Sequence, residues 1–456
     1  MGWVRRNKEM MMRVVWVLLT LIGLLFGAIL IAFLIKLPRV DGPLTQAQAS
    51  PPVLAAFGVD PPIETSAQWS ARRAPLLRAA FAANVYGQMP PAGATRVVDT
   101  RAIEFSGLGG LGSLEEWTIE TQAGAKPVRL HLALVLPNGK GPFPVIVMET
   151  FCGNRAAFKG ATGLAKTAAR TPSDCNNARM RPLIQTIFGA HIFNPPFEAV
   201  LRRGYALAMF HPGEVVADAA EAGLKDLEEI SGQARNDPNR PGAIAAWAWA
   251  YSRVIDMLNQ DGRLDPARQA VWGHSRNGKA ALLAAAFDPN IDLVLALQPG
   301  TGGATLSRSR GGETVAQMTK AFPHWFSPAF SAFGDREADL PVDQHQLLAL
   351  IAPRPILLGA ARRDGWSDPK GALRAAQGAS PVYALFGVTG LNQTGLNDPD
   401  LSANLAFYTR PGLHGVTRQD WANSLDFLDR HFAVPGVPAQ AQAPAAQILL
   451  SGQTAN

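Results

Sequence analysis

The residues Gly273-His274-Ser275-Arg276-Asn277-Gly278 give a serine the setting of a nucleophile. The match to G-x-S-x-G is loose, because Asn277 stands where the second glycine is wanted and Gly278 follows one place later. Context strengthens it. The apolar run Gln269–Trp272 precedes the motif and a helical pattern, Lys279-Ala280-Ala281-Leu282-Leu283-Ala284, follows it. A strand, a sharp turn and a helix in that order lift a serine hydroxyl above a sheet, with small residues on either side permitting close packing. The plainer alternative is a serine that only caps the helix.

Arg276 and Lys279 fall in the first turn of that helix, where the positive end of the macrodipole disfavours a cation by ~0.3–1 kcal/mol. Such placement asks for a compensating task. The Arg276 backbone N–H is the expected oxyanion donor, its guanidinium can add charge, and Lys279 lies one turn beyond Ser275. The bland reading leaves both side chains in solvent.

In elbow-type hydrolases the acid and then the base follow the serine along the chain. Of the eight histidines, His191, His211 and His324 come before the acid candidates and fall in the wrong order. His131 sits in a strand pattern, His274 belongs under the elbow, His345 lies in a helical run, and His431 closes the last helix. His414, in the loop Arg410-Pro411-Gly412-Leu413-His414-Gly415 before that helix, is the expected general base. Asp368 precedes Pro369 and reads as a helix N-cap, which leaves Asp364 to orient His414. No His, Cys or carboxylate cluster has metal-ligand spacing, and no phosphate-binding or dinucleotide glycine motif occurs, so no cofactor is implied.

These residues need a sheet edge to stand on. Strand patterns at Val128–Leu136, Phe143–Met148, Tyr205–Phe210, Gln269–Trp272, Ile291–Leu297, Pro355–Leu358 and Val382–Gly387 alternate with helical ones at Pro241–Leu258, Asn277–Phe287, Val342–Leu350 and Arg418–Phe432. Several strand runs are continuously apolar, as strands covered on both faces are. The alternation predicts an α/β fold of the α/β-hydrolase type, with a doubly wound, mostly parallel sheet. The segment from Gly302 to Leu340 is too long for a simple crossover and is expected to wall the ligand site above the strands' C-terminal ends.

The net charge of +6 does not mark a nucleic-acid binder. Arg5, Arg6, Lys8, Arg13, Lys36 and Arg39 face Glu9 alone, so five of those six charges belong to the first 39 residues. Between them Val14–Ile35 runs for 22 residues without a charge, about 33 Å as a helix and enough to span a bilayer. The preceding cations place the body outside the cytoplasm. A cleaved leader ending at Ala47-Gln48-Ala49 is the competing reading. The expected organisation is a tail and anchor over 1–40, a Pro- and Ala-rich linker over 41–64, a catalytic domain over 65–433 and a loose tail over 434–456. Export would let Cys152 and Cys175 pair; otherwise they are two small buried hydrophobes.

Taken together, the residues resemble the glucuronoyl esterases (4-O-methyl-glucuronoyl methylesterases), from about Arg72 to Phe432. The specific pieces are GHSRNGK (Gly273–Lys279), GTGGATLSR (Gly300–Arg308), GGETV (Gly311–Val315), FPHWF (Phe322–Phe326), LPVDQHQLLALIAPRP (Leu340–Pro355), DGWSDPKG (Asp364–Gly371) and the His414 loop. The resemblance implies hydrolysis of the ester between (4-O-methyl-)glucuronic acid and an alcohol, with Ser275 as nucleophile, His414 as base and Arg276 at the oxyanion. It also implies that Lys279, Glu313 and Trp366 hold the uronate hydroxyls. Many members carry glutamate where this chain has Gln298; a neutral amide cannot stabilise an imidazolium by charge, so the acid's part falls to Asp364, as in other bacterial members. An acetyl or small-acyl esterase on the same residues, and an inactive carbohydrate-binding protein, are the alternatives.

Overall fold

The computed structural model describes residues 62–167, 175, 180–309 and 311–432, with residues 40 and 50–54 and ten more between 11 and 27. The chain divides into two units, Met1–Arg39 and Val40–Asn456. In the first, the described residues are helical, and most of Val14–Ile35 lies outside them. Among the described residues no helix is long and apolar enough to cross a membrane. Most of the expected linker and all of the 434–456 tail also lie outside them.

The second unit is built on a nine-stranded sheet: β1 (Arg96–Ile103), β2 (Gly112–Ala123), β3 (Lys126–Pro137), β4 (Phe143–Glu149), β5 (Ala206–Phe210), β6 (Leu264–His274), β7 (Leu293–Leu297), β8 (Ile356–Ala361) and β9 (Leu405–Arg410). Their order across the sheet is β1-β2-β3-β5-β4-β6-β7-β8-β9. The first three strands join β5 by antiparallel pairing, and all pairs from β5 to β9 are parallel. In the parallel part nearly every side chain is buried, because helices cover both faces, which explains the continuous apolar runs.

The longer helices are α1 (Ala74–Phe81), α2 (Arg181–Phe188), α3 (Phe197–Arg202), α4 (Ala220–Ser231), α5 (Ala243–Leu258), α6 (Arg276–Phe287), α7 (Val315–Ala321), α8 (Gln344–Ala349), α9 (Pro369–Leu385) and α10 (Arg418–His431). α1, α5, α6, α8 and α9 pack in one hydrophobic core, while α3 and α10 belong to the core on the other face. α5 is buried along almost its whole length.

Three features depart from the sequence reading. Val382–Gly387 is not a strand: Val382–Leu385 ends α9, which continues through Pro381. A proline usually stops a helix by removing an N–H, so an apolar run just after one resembles a new strand. The last strand is instead Leu405–Arg410, immediately before the His414 loop. β1 and β2 lie outside the strand patterns of the sequence; β1 is an edge strand exposed along almost its whole length.

The loop after β9 is held from below. Asp420, fully buried in the first turn of α10, accepts from Tyr408 Oη (2.8 Å) and Arg410 Nε (2.6 Å) and forms a capping box with Thr417. Arg410, also buried, then donates to the carbonyls of Pro411 (3.0 Å), Leu413 (3.1 Å) and Gly415 (2.7 Å). Removing one partner of a buried pair strands the other charge. Asp420→Ala should therefore lower the unfolding free energy by about 3–5 kcal/mol in urea denaturation; a loss under about 1 kcal/mol would show that the pair carries little of the fold.

Candidate active site

Ser275 sits between β6 and α6 with φ 58° and ψ −127°, a conformation costly for any residue but glycine. Its backbone N–H donates to Leu297 O (2.8 Å), and its side chain makes no capping bond to α6. The hydroxyl is thus not spent on a helix cap. The turn is tight enough that a Cβ on Gly273 would lie 2.2 Å from Asn277 O. Asn277 in turn is tied to β4, its Nδ2 donating to Glu149 O at 3.3 Å.

His414 and Asp364 meet across the ends of neighbouring strands. His414 Nδ1 is 2.7 Å from Asp364 Oδ2. Asp364 lies in the loop after β8, and that loop is stitched to the His414 loop by Arg363 N–H donating to Gly412 O (2.9 Å). Ser367 bonds the same carboxylate through its hydroxyl (2.6 Å) and its N–H (3.2 Å). Burial alone would raise the Asp364 pKa; the His414 bond and charge, with those from Ser367, outweigh it and hold the carboxyl below its ordinary value. An ionised Asp364 fixes the Nδ1–H tautomer of His414 and leaves Nε2 as the free base. Ser275 and His414 line the same two cavities.

Asp368 caps α9 through Gly371 N–H (2.9 Å), which leaves it without a place at the base. Gln298, just after β7, touches the other side of the His414 loop, its Oε1 accepting from Gly415 N–H at 2.7 Å.

Arg276 is half-buried and tied down rather than loose in solvent. Its Nε is 2.7 Å from Asp218 Oδ2, and its guanidinium lies over the Phe151 ring at 4.8 Å. Asp218 Oδ1 also accepts from His324 Nε2 (3.0 Å) and Trp325 Nε1 (2.9 Å). Burial pushes the Asp218 pKa up, but these donors and the Arg276 charge bring it below the ordinary value. Nothing in the sequence around Asp218 marked it; the loop after β5 delivers it to the site only in the fold.

Lys279 is buried and donates to the carbonyls of Pro299 (2.7 Å) and Thr301 (2.5 Å). Desolvation lowers its pKa to about 8, opposed by the nearby carboxylates of Glu313 and Asp364. Glu313 is buried too; desolvation raises its pKa while Lys279 and a bond from the Trp366 side chain pull it down. Trp366 is 64% exposed, so its ring forms the rim of this corner. Lys279, Glu313 and Trp366 line one cavity, of about 120 Å³, together with Ser275, Arg276 and His414.

A second cavity, of about 370 Å³, opens on the same serine and histidine but is largely apolar, with Phe151, Ile184, Phe188, Ile192 and Phe193 in its wall. Cys152 and Cys175 are joined as a disulfide in that wall. The remaining histidines serve structure: His131 meets Glu214, His191 the Asn194 carbonyl, His211 the Thr150 carbonyl and His345 the Pro51 carbonyl. His431 ends α10, where the dipole favours its cation, yet burial lowers its pKa. Among the described residues no group of three or more His, Cys, Asp or Glu side chains can hold a metal ion.

Residues 197–387 match a family model described as glucuronyl esterase, fungi. A carbohydrate esterase, MZ0003, from an unknown prokaryotic organism is 33% identical over 375 residues, covering 81% of this chain and 86% of that protein. The 4-O-methyl-glucuronoyl methylesterase of Phanerochaete carnosa is 30% identical over 293 residues, covering 60% of this chain and 69% of its own. Among solved structures, a glucuronoyl esterase from Solibacter usitatus superimposes with a TM-score of 0.72 at 31% identity, over 85% of this chain and 99% of that one. Resemblance, fold and site thus converge on one assignment: the chain belongs to the glucuronoyl esterase family of carbohydrate esterases.

Proposed function

We propose that this protein is a serine esterase that hydrolyses the ester between a glucuronic acid and an alcohol, through an acyl-enzyme formed on Ser275. The observation that carries the reading is the pairing of His414 with an ionised Asp364, on a cavity that His414 shares with Ser275 and whose wall also holds Arg276, Lys279, Glu313 and Trp366. Relatives bearing the family's name supply the substrate class.

Ser275 Oγ attacks the C6 carbonyl while His414 Nε2 takes its proton. The oxyanion forms beside the Arg276 N–H, one of the first-turn donors that have no partner within α6, and beside the Arg276 guanidinium. His414 returns the proton to the departing alcohol. Water, deprotonated by the same imidazole, then attacks the acyl carbon and frees the uronate and Ser275. Asp364 keeps the imidazole oriented and stabilises its charge; it does not take the proton. Lys279 and Glu313 in the smaller cavity suit ring hydroxyls, with the aromatic rings beside them for the sugar's carbon face, and the larger apolar cavity is left for the alcohol. A greasy acyl group would find Lys279 and Glu313 where it needs hydrocarbon, which disfavours a small-acyl esterase.

For the N-terminus we infer a retained membrane anchor at Val14–Ile35, from its charge-free length and flanking cations, with the catalytic domain in an oxidising compartment outside the cytoplasm. The Cys152–Cys175 disulfide supports the compartment.

Ser275→Ala should abolish turnover of methyl or benzyl glucuronate with unfolding unchanged; substantial residual hydrolysis would remove the nucleophile assignment. Asp364→Asn should lower kcat by about 10³–10⁴-fold, since the amide can favour the wrong imidazole tautomer. An effect below tenfold would place the acid elsewhere. Because Lys279 loses its proton near pH 8, KM for a glucuronate ester should rise above that pH while kcat holds. An acetyl ester, which has no use for Lys279, should show no such rise; equal behaviour of the two esters would take Lys279 out of uronate binding. In fractionated cells the full chain should sediment with membranes and resist salt extraction. A soluble product whose first residue is Ser50 would mean a cleaved leader instead.

A further inference from the structure

The side chain at the tip of β7 is occupied in a way that esterase chemistry alone does not explain. Gln298 has φ 50°, in the left-handed region that disfavours every residue but glycine, and its backbone N–H is fastened to Gly359 O at 2.7 Å. It is buried, and its Oε1 meets two donors from different elements, the Gly415 N–H at 2.7 Å and His274 Nε2 at 3.2 Å. A peptide N–H can only donate, so it fixes which end of the amide faces the loop and makes that atom the oxygen. His274, with Nε2 on the same oxygen, is therefore the Nε2–H tautomer. Its ring, fully buried, lies 4.6 Å from the His414 ring between centroids.

Resting on His414 as the base, we propose that Gln298 is a positioning residue: as a neutral acceptor shared by Gly415 and His274, it fixes the peptide after His414 and so the reach of the imidazole toward Ser275. Arg410 holds the carbonyls of this loop; Gln298 is the acceptor for the Gly415 N–H beside the base. A glutamate here could accept the same two bonds. It would add a second negative charge next to an imidazole already paired with Asp364. In this chain the position keeps the geometry and omits the charge: Asp364 orients the ring and compensates its charge, and Gln298 holds the peptide that carries it.

The test uses two substitutions of similar length in the full chain. Gln298→Met removes the acceptor; Gln298→Glu keeps it and adds charge. Gln298→Met should lower kcat on benzyl glucuronate by about 10–100-fold, the scale of a base displaced by about an ångström, with KM within about twofold. Gln298→Glu should restore most of kcat and move the acidic limb of the pH profile upward by about one unit, because an added carboxylate favours imidazolium. The other charged groups that face His414 or its neighbour His274 are Asp364, Glu313, Arg276 and Arg410. They are unchanged in both variants, so the displaced limb belongs to residue 298. A Met variant as fast as the parent overturns the proposal. So do equal losses in both variants, which would show a packing role. Hydrolysis that vanishes in Ser275→Ala is the control for the function reading. If the parent hydrolyses no uronate ester, that reading alone fails. Gln298 is then judged by how fast a serine-directed phosphonate labels Ser275, which the Met variant must slow and the Glu variant must restore.

Discussion

The arrangement depends on keeping one short loop still. His414 sits on a segment of irregular backbone between β9 and α10, and irregular backbone has no ladder to satisfy its polar groups. Here the satisfaction comes from side chains. The Arg410 guanidinium gathers three carbonyls of the loop, and Asp420 holds Arg410 while capping the next helix. A buried ion pair is a poor source of stability when replaced whole, because desolvation cancels most of its attraction. Its value here is geometric: the fork of the guanidinium fixes several acceptors at once, and neither partner can be lost alone.

The serine side solves the same problem by strain. Ser275 is held at φ 58° where strand β6 turns sharply into helix α6. The neighbouring cation is handled by pairing. Arg276 stands where the helix dipole opposes it, and Asp218 compensates, itself held by His324 and Trp325. Lys279 meets the same dipole with backbone carbonyls and a nearby carboxylate, while its burial depresses the pKa. Two cations line the cavity of the proposed nucleophile, each tethered to a different partner, so their positions are set before any substrate arrives. That is the preorganisation acyl transfer needs, since no reorientation is left to be done as charge develops.

Much of this was legible in the sequence where local pattern and chemistry coincide. The elbow is a strand, a turn and a helix within a few residues, and Asp368-Pro369 announces a helix start by itself. The parallel strands declare themselves because both faces are buried. β1 could not, because it is an exposed edge whose strand character comes from pairing with β2. The run after Pro381 looked like a strand because its residues are apolar and a proline precedes it; packing in the core carries the helix through. Asp218 and the Gln298–Gly415 contact had no local signature at all. Each links segments far apart in the chain, and such contacts become visible only when the sheet order is known. The Cys152–Cys175 pairing was likewise open until the fold brought the two together.

The two cavities that meet at Ser275 differ in a way that bears on specificity. One is small and sets a buried lysine and a buried glutamate among Phe322, Trp325 and Trp366; the other is larger and walled by phenylalanine and isoleucine. An ester with a hydroxyl-rich acyl half and an apolar alcohol half matches both in one orientation and neither in the reverse. Reversal would bury hydroxyls against hydrocarbon and hydrocarbon against the Lys279 ammonium, each without a partner. Discrimination by unsatisfied polar groups is much steeper than discrimination by apolar contact. Under the proposed function, orientation at the serine is therefore set chiefly by Lys279 and Glu313 in the smaller cavity, and tolerance toward the alcohol follows from the softer apolar one.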